Sequence, residues 1–183
     1  MDPLLLLSAT ELAARIRRGD LTSRDAVEAH LRRIEAVNPR LNAVVQDRFV
    51  AARAEADRAD RRRQKRGPDR LPPLHGVPCT IKESIALRGM PNSGGLRARR
   101  HVIADHTATA AARLLAAGAI PLGVTNVSEL CMWMEAHNRV YGRTVNAYDP
   151  GRIAGGSSGG EGAIIGAGGS PFGLGSDIGG SIR

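Results

Sequence analysis

Apolar side chains recur every three or four residues along much of the chain, which is the spacing of amphipathic helices. The segments predicted to be helical are 8–19, 22–37, 49–65, 107–117 and 126–133, and a glycine-rich helix is predicted to begin near Gly160. The first has a capping-box pattern, because Ser8 precedes Glu11 by three residues and Gly19 stands at the exit. The second is expected to end at Asn38-Pro39, since the residue before a proline disfavours the helical conformation.

Shorter apolar runs lie between these helices and predict buried strands. They cover residues 42–46, 77–81, 119–124 and 172–175, and a turn is expected at 177–180. Strands that alternate with helices indicate an α/β architecture. The length of 183 residues suits one domain with its own core, or a piece of a larger domain.

The end of the sequence favours the second of these options. The chain stops two residues after Ser181, directly behind a glycine turn and without a closing helix or strand. We therefore expect residues 1–183 to form the N-terminal portion of a single domain that is truncated at its C-terminus.

The formal net charge of +8 comes from 24 arginines and 2 lysines against 18 acidic residues. A basic chain can bind nucleic acid, but aromatic residues make up only 3% of this one, so platforms for base stacking are scarce. The densest basic cluster, 61–66, lies at the end of a predicted helix, where the helix dipole favours cations. We interpret it as a solvated helix end and expect no nucleic-acid partner.

Two cysteines, Cys79 and Cys131, stand in a chain without a secretory signal pattern, which favours reduced, buried thiols and a cytoplasmic location. The apolar run 4–7 is too short to span a bilayer, and no basic residue precedes it. We therefore expect no transmembrane segment. The sequence leaves a homodimer open.

Glycines are concentrated in the last part of the chain, where 13 of the 22 lie between Gly151 and Arg183. Glycine is used where the backbone must bend or must approach another molecule closely. Serines interrupt this segment at Ser157, Ser158 and Ser181. Hydroxyl groups held on glycine turns favour acyl-transfer chemistry, in which a serine attacks a carbonyl carbon.

One lysine stands apart from the charged segments. Lys82 follows the apolar stretch 76–81, whereas Lys65 lies in a charge run where arginine would serve equally well. An ammonium group can lose its proton when it is desolvated, but a guanidinium cannot. An unperturbed lysine is neutral only to about one part in 10³ at pH 7, and burial removes much of that deficit. The alternative is a strand-end lysine whose amine reaches water.

The turn before Ser181 brings several backbone N–H groups close together. Those of residues 178–181 could converge on a substrate oxygen that becomes negatively charged in the transition state. Ile178, Gly179 and Gly180 would then bind substrate together with Ser181. A serine after two glycines is otherwise commonly a helix N-cap, and this alternative stays open.

Three rival sites fit the sequence less well. A dinucleotide-binding loop needs a third glycine where Ile178 stands, and no phosphate-binding GxxxxGK[ST] motif occurs. Residues 155–159 satisfy the GxSxG pattern of an α/β-hydrolase elbow, but a turn precedes them and no histidine follows His137. The histidines and the aspartate at 101–106 lack the spacing of a metal site. We expect no metal and no cofactor.

The serine-rich segment resembles the signature of a known family, the amidase signature hydrolases. The stretch GGSSGGEGA, which begins at Gly155, is followed by GSDIGGSIR, which begins at Gly175, and together they match that signature. The segments 74–83, 141–146 and 8–12 are similar to the same family, so the resemblance covers nearly the whole chain. It implies an α/β fold in which a mixed sheet is flanked by helices, of which this chain is the N-terminal part.

The resemblance also implies an amide hydrolase with a Ser–Ser–Lys triad, acting on a small-molecule amide without a cofactor. Ser181 would attack the amide carbonyl and form a seryl acyl-enzyme. Ser157, held by a cis peptide bond after Gly156, would relay the proton to Lys82, which would act as the neutral base. Residues 178–181 would form the oxyanion hole. Supporting contacts would come from Ser158, Asp177 and Arg183.

Within the family, Glu161 and Ile178 are more similar to fatty acid amide hydrolases, especially the second type, than to the A-type subunits of tRNA-dependent amidotransferases. Adaptable, apolar side chains at Cys131, Met132 and Met134 would then line an acyl pocket.

Two alternative functions stay open. One is an amidotransferase A-type subunit that releases ammonia from an amide donor, and the other is a nucleotide-binding α/β module. The chain departs from the family's usual sequence at Glu83-Ser84, directly after Lys82, and at 136–138, and neither departure touches the triad. We expect the 183-residue chain to be inactive by itself, because the helix that Ser181 would begin is cut off.

Overall fold

The computed structural model describes residues 2–183, and within them five α-helices and six strands form. The helices are α1 (Ala9–Arg18), α2 (Ser23–Leu41), α3 (Phe49–Arg66), α4 (Thr109–Ala116) and α5 (Gly159–Gly166). The strands are β1 (Val44–Asp47), β2 (Pro78–Lys82), β3 (Ile120–Thr125), β4 (His137–Asn138), β5 (Gly142–Arg143) and β6 (Gly173–Leu174). None of the helices in this part of the chain is long and apolar enough to cross a membrane.

Four of the strands form one sheet in the order β1–β3–β2–β6. Strand β2 runs parallel to both β3 and β6, whereas β1 pairs antiparallel with β3, so the sheet is mixed. Every residue of β2 and β3 is buried, as expected for strands that are covered on both faces. Strands β4 and β5 form a separate antiparallel pair.

Helices cover both faces of the larger sheet. On one face, α2, α3 and α5 pack against β3 through a cluster of buried side chains that includes Val27, Leu31, Ala52, Ile120, Leu122 and Ile164. On the other face, Ala111 of α4 packs with Ile81 and Val124. The prediction of an α/β fold with a mixed sheet flanked by helices is confirmed.

Helix α1 begins and ends as predicted. The Oγ atom of Ser8 accepts a hydrogen bond from the N–H of Glu11, and the Glu11 carboxylate accepts one from the N–H of Ser8 at 2.9 Å. Gly19 ends the helix in the left-handed conformation, with a φ of 88°. Most other predicted helices and strands form with bounds that differ by at most two residues. Two predictions are wrong.

The first of these is that α2 ends at Asn38-Pro39. The helix continues to Leu41, with the proline inside its last turn, and Asn42 ends it in the left-handed conformation. The side-chain oxygen of Asn38 accepts hydrogen bonds from the N–H groups of residues 43 and 44, and its carbonyl accepts one from Asn42. These bonds fix the exit of the helix and offset the one that the proline cannot donate.

The second wrong prediction is a helix at 126–133. Only the 3₁₀ turn Glu129–Cys131 forms there, and Leu130 and Cys131 have positive φ angles of 51° and 60°. The N–H of Leu130 donates to the carbonyl of Gly94, at 2.7 Å, rather than to a preceding turn of helix. A hydrogen bond to a distant loop therefore decides this segment, and helical spacing alone could not reveal it.

Helix α5 lies so close to the sheet that its second residue has no room for a side chain. A Cβ atom on Gly160 would stand 2.4 Å from the backbone nitrogen of Asn126 and 2.6 Å from its carbonyl oxygen. A Cβ atom on Gly162 would come no closer than 3.7 Å, to the carbonyl oxygen of Ala154. Close packing thus holds the first turn of α5 against the end of β3.

Gly160→Ala is expected to lower the free energy of unfolding by about 1–3 kcal/mol, because the backbone of Asn126 cannot yield to the added methyl group. Gly162→Ala, the matched control in the same helix, is expected to leave it unchanged or to raise it by up to about 1 kcal/mol through higher helix propensity. Urea unfolding of the 183-residue chain measures both effects. Equal effects of the two substitutions would contradict this packing.

Candidate active site

Lys82 is the last residue of β2, which has a neighbouring strand on each side. Side chains alternate along a strand, so Thr80 and Lys82 point to the face covered by α5, while Ile81 packs on the opposite face. The exposed fraction of Lys82 is 0%. The interpretation in which its amine reaches water is therefore wrong.

The amine of Lys82 lies among hydroxyl and carbonyl oxygens. Its Nζ atom is 2.6 Å from the Oγ of Ser157, 3.0 Å from the Oγ of Ser176 and 3.3 Å from the carbonyl oxygen of Ser176. An ammonium would donate to all three oxygens, whereas a neutral amine would donate to two and accept a hydrogen bond from one hydroxyl. The site can satisfy either form.

Burial decides between the two forms of Lys82. It lowers the pKa of the amine, because the site lacks the water that would stabilise a charge. Cys131, Asp177 and Glu161 act in the opposite direction. Each unit by which the pKa falls makes the neutral form about tenfold more abundant at neutral pH. The site therefore favours an amine that can accept a proton.

Ser157 lies just before α5 and is joined to Gly156 by a cis peptide bond, which the family resemblance implied. Ser157 has an exposed fraction of 0%. A Cβ atom on Gly156 would stand 2.7 Å from the backbone nitrogen of Glu135. The missing side chain at Gly156 lets the serine turn lie directly on a neighbouring backbone segment.

Ser158 connects this turn to the glycine-rich segment that follows β6. Its N–H donates to the carbonyl oxygen of Ser181 at 3.1 Å, and its hydroxyl donates to the carbonyl oxygen of Ser176 at 3.2 Å. The Ser157-Ser158 turn is thus held next to the segment that carries Ser176 and Ser181.

Ser181 borders a cavity of about 430 Å³ whose lining also includes Met134, Gly156, Ser158 and Ile165. Within residues 2–183, no hydrogen bond joins the hydroxyls of Ser181 and Ser157. The structure therefore brings Lys82 and Ser157 into contact and places the backbone of Ser181 against Ser158.

Asp177 holds the last turn of the chain together. Its carboxylate accepts hydrogen bonds from the N–H of Gly180, from the N–H of Ile182 at 3.1 Å and from the Nε of Arg183 at 3.1 Å. The bond from Arg183, followed by those from the backbone, keeps the pKa of Asp177 well below its ordinary value. Asp177 is therefore ionised throughout the neutral range.

The predicted oxyanion hole is only partly available in this arrangement. The N–H of Gly180 is directed at Asp177 rather than at the cavity. The N–H groups of Ile178, Gly179 and Ser181 have no hydrogen-bond partner within residues 2–183. Three of the four predicted donors thus stay free for a ligand.

Cys131 does not line the cavity beside Ser181. Its thiol donates to the hydroxyl of Ser84 at 3.2 Å and borders a separate, smaller cavity of about 200 Å³. Met134 borders the Ser181 cavity, whereas Met132 has an exposed fraction of 79%. The three side chains expected to share one acyl pocket are therefore not assembled together in the described residues.

Two residues beside the amine were not predicted as part of the site. Ser176 follows the carboxyl end of β6, next to β2, and that position in a parallel sheet is itself a signal of a binding site. Glu161 is an acidic residue in a helix that otherwise contains only glycine and apolar residues. Its side chain accepts hydrogen bonds from Thr80 and Thr125. An isolated charge in an apolar segment is the same signal that singled out Lys82.

The rival sites do not form in the described residues. No helix follows β6 within residues 2–183, so the strand–turn–helix order of a dinucleotide site is missing, and no buried strand leads into Gly155. His106 contacts Asp105, but both side chains are largely exposed. Within the same residues, no three His, Cys, Asp or Glu side chains lie close enough together to hold a metal ion.

The chain is similar to known proteins in sequence and in fold. The sequence profile of the Amidase family matches residues 25–183. Fatty-acid amide hydrolase 2-B of Danio rerio is 58% identical over 100% of this chain and 36% of its own length. The A-type subunit of the glutamyl-tRNA(Gln) amidotransferase of Streptomyces coelicolor is 39% identical over 100% of the chain and 36% of its own length. The chain thus spans about a third of the length of the curated relatives it matches.

The fold has a similar counterpart among solved structures. A structure of fatty acid amide hydrolase superimposes with a TM-score of 0.94 and 32% identity, over 99% of this chain and 32% of that one. Since the family profile covers most of the chain and both the sequence and the fold lead to the same group of enzymes, the chain belongs to the amidase family.

Proposed function

We propose that this chain carries the catalytic residues of an enzyme that hydrolyses a C–N amide bond of a small molecule through a seryl acyl-enzyme. The proposal rests on the contact of 2.6 Å between the Nζ of Lys82 and the Oγ of Ser157, both of which are buried. Membership in the amidase family and the similarity to fatty-acid amide hydrolase 2 support the same chemistry.

Acylation begins with the neutral amine of Lys82. It takes the proton of Ser157 while Ser157 takes the proton of Ser181, and the Oγ of Ser181 bonds to the amide carbonyl carbon. The carbonyl oxygen becomes negatively charged and accepts hydrogen bonds from the free N–H groups of the last turn. The proton then passes from Lys82 through Ser157 to the amide nitrogen, so that the C–N bond breaks and the amine leaves.

Deacylation uses the same groups with water in place of Ser181. Water attacks the ester carbon while its proton passes to Lys82 through Ser157, and the proton returns to the Oγ of Ser181 as the acid leaves. The relay requires the hydroxyl of Ser181 to turn toward Ser157. The hydrogen bond from Ser158 to the carbonyl of Ser181 keeps the two segments adjacent meanwhile.

An amidotransferase A-type subunit is the second candidate, because one relative of that class is 39% identical. Such a protein would release ammonia from an amide donor for use by partner subunits. Co-purification with partners and dependence on glutamine would favour it. We rank the amidotransferase second because the chain has a higher identity, 58%, to a fatty-acid amide hydrolase.

The nucleophile is identified by labelling with a fluorophosphonate, which reacts with activated serines. The reaction is carried out on the full-length protein, by which we mean the longest natural form that contains these 183 residues. Mass mapping is expected to find the adduct on Ser181, and Ser181→Ala is expected to abolish labelling and to lower turnover of an amide by at least about 10³-fold. An adduct on Ser157 would contradict the assignment of the nucleophile.

The role of Lys82 as a base is tested by Lys82→Arg, which keeps a positive charge that cannot be given up. Turnover is expected to fall by about 10²–10⁴-fold, the usual contribution of a general base. Lys65→Arg, at an exposed position, is the matched control and is expected to have no effect.

Arginine is bulkier than lysine, so a second variant separates the loss of the base from a steric effect. Lys82→Met has a similar length and no group that accepts a proton, and it is expected to lose activity to the same extent. Retention of activity in Lys82→Met, with the fold confirmed by circular dichroism, would refute the role of Lys82 as the base.

A further inference from the structure

Glu161 is a buried carboxyl group that the proposed mechanism does not use. It is the third residue of α5 and has an exposed fraction of 5%. Its Oε2 accepts a hydrogen bond from the hydroxyl of Thr80 at 2.6 Å, and its Oε1 accepts one from the hydroxyl of Thr125 at 2.8 Å. Both oxygens of the carboxyl group are thus fixed by the sheet.

The two threonines stand directly beside the candidate base. Thr80 precedes Lys82 by two residues on the same face of β2, and Thr125 is the register partner of Lys82 on β3. Glu161 follows Ser157 by four residues, with the first turn of α5 between them. The carboxyl group therefore ties the element that carries Ser157 to the two strands that position Lys82.

The fold leaves a space for this carboxyl group. A Cβ atom on Gly173 of β6 would stand 1.8 Å from the Oε2 of Glu161, so any side chain at that position would displace the carboxyl group. Three strands of the sheet thus enclose Glu161, two by hydrogen bonds and the third by the absence of a side chain.

Within the described residues, few other titratable groups act on Glu161 and Lys82. Burial raises the pKa of Glu161 to about 7, against the opposing effects of its two hydrogen bonds and of Lys82. Cys79, which precedes Thr80 on β2, is buried, and burial raises the pKa of its thiol well above the neutral range. Cys131 and the ionised Asp177 both raise the pKa of Lys82, against the effect of burial. The charges of Glu161 and Lys82 therefore act on each other, because the carboxylate favours the ammonium form and the ammonium favours the carboxylate.

We propose that Glu161 is a positioning residue that holds the start of α5 against β2 and β3 and, through its negative charge, sets the pH at which Lys82 gives up its proton. The part of this inference that concerns catalysis rests on the proposed role of Lys82 as a base. When Glu161 is ionised it favours the ammonium form of Lys82, and when it is neutral it favours the amine.

Glu161→Gln removes the charge while keeping the shape and one acceptor oxygen. The amine of Lys82 is followed directly by ¹⁵N NMR of the 183-residue chain, which contains only Lys65 and Lys82, and Lys65→Arg assigns the two signals. Loss of the opposite charge is expected to move the titration midpoint of Lys82 down by about one pH unit.

Glu83→Gln is the matched control, because Glu83 is also buried and is adjacent to Lys82 in sequence. Its carboxylate accepts hydrogen bonds from Ser93, Gly94 and Tyr141 and does not face the amine. Glu83→Gln is expected to leave the midpoint of Lys82 in place. If Glu161→Gln does not fold, Thr80→Val is used instead. It keeps the shape of the side chain but removes a donor that favours the ionised form of Glu161. It is expected to lower the titration midpoint of Lys82 as well.

The catalytic consequence is read from the pH dependence of fluorophosphonate labelling in the full-length protein. Glu161→Gln is expected to shift the acid limb of the profile, where the labelling rate rises with pH, to lower pH. It is also expected to reduce the maximal labelling rate, since a weaker base removes a proton less readily. A lower maximal rate with an unmoved limb, together with an unmoved NMR midpoint, would mean a purely structural role and overturn the inference. If the wild-type protein is not labelled at all, the proposed function fails, while the NMR midpoint still decides the role of Glu161.

Discussion

The hydrogen bond between the buried amine of Lys82 and the hydroxyl of Ser157 is the interaction on which the rest of the site depends. An ammonium group with an exposed fraction of 0% loses the hydration that stabilises its charge, and a neutral amine avoids most of that cost. The lone pair of a neutral amine then needs a donor, and the Ser157 hydroxyl lies 2.6 Å away. The burial that makes a charge costly is therefore the same property that suits Lys82 to the proposed role of a base.

The topology of the sheet places these groups together. Lys82 ends β2, Thr125 ends β3 and Ser176 follows β6, and because the three strands are parallel their carboxyl ends meet at one edge. In α/β folds this edge is where ligands commonly bind. Helix α5 brings Ser157 to the same edge and is fixed there by Glu161 and by the close approach of Gly160 to β3. The site is thus a direct consequence of strand order and of glycines that leave room for a helix.

Much of this arrangement could be predicted from the sequence. The capping box of α1, the alternation of strands and helices, and the chemical distinction between Lys82 and the 24 arginines are all local features. The exit of α2 beyond Pro39, the turn at Leu130 and the contacts of Ser176 with Lys82 depend on hydrogen bonds between residues that are far apart in the chain or held by a side chain. Spacing and propensity carry no information on such bonds, which explains why those features were missed.

The most direct test of the central claim is the protonation state of Lys82 in the unaltered chain. A ¹⁵N NMR titration of the lysine side chains reports it without any assumption about substrate. We expect the Lys82 amine to lose its proton well below pH 10.4, the ordinary midpoint of a lysine. A Lys82 amine that keeps its proton up to about that value would contradict the account, because a permanently charged group cannot take the proton of Ser157.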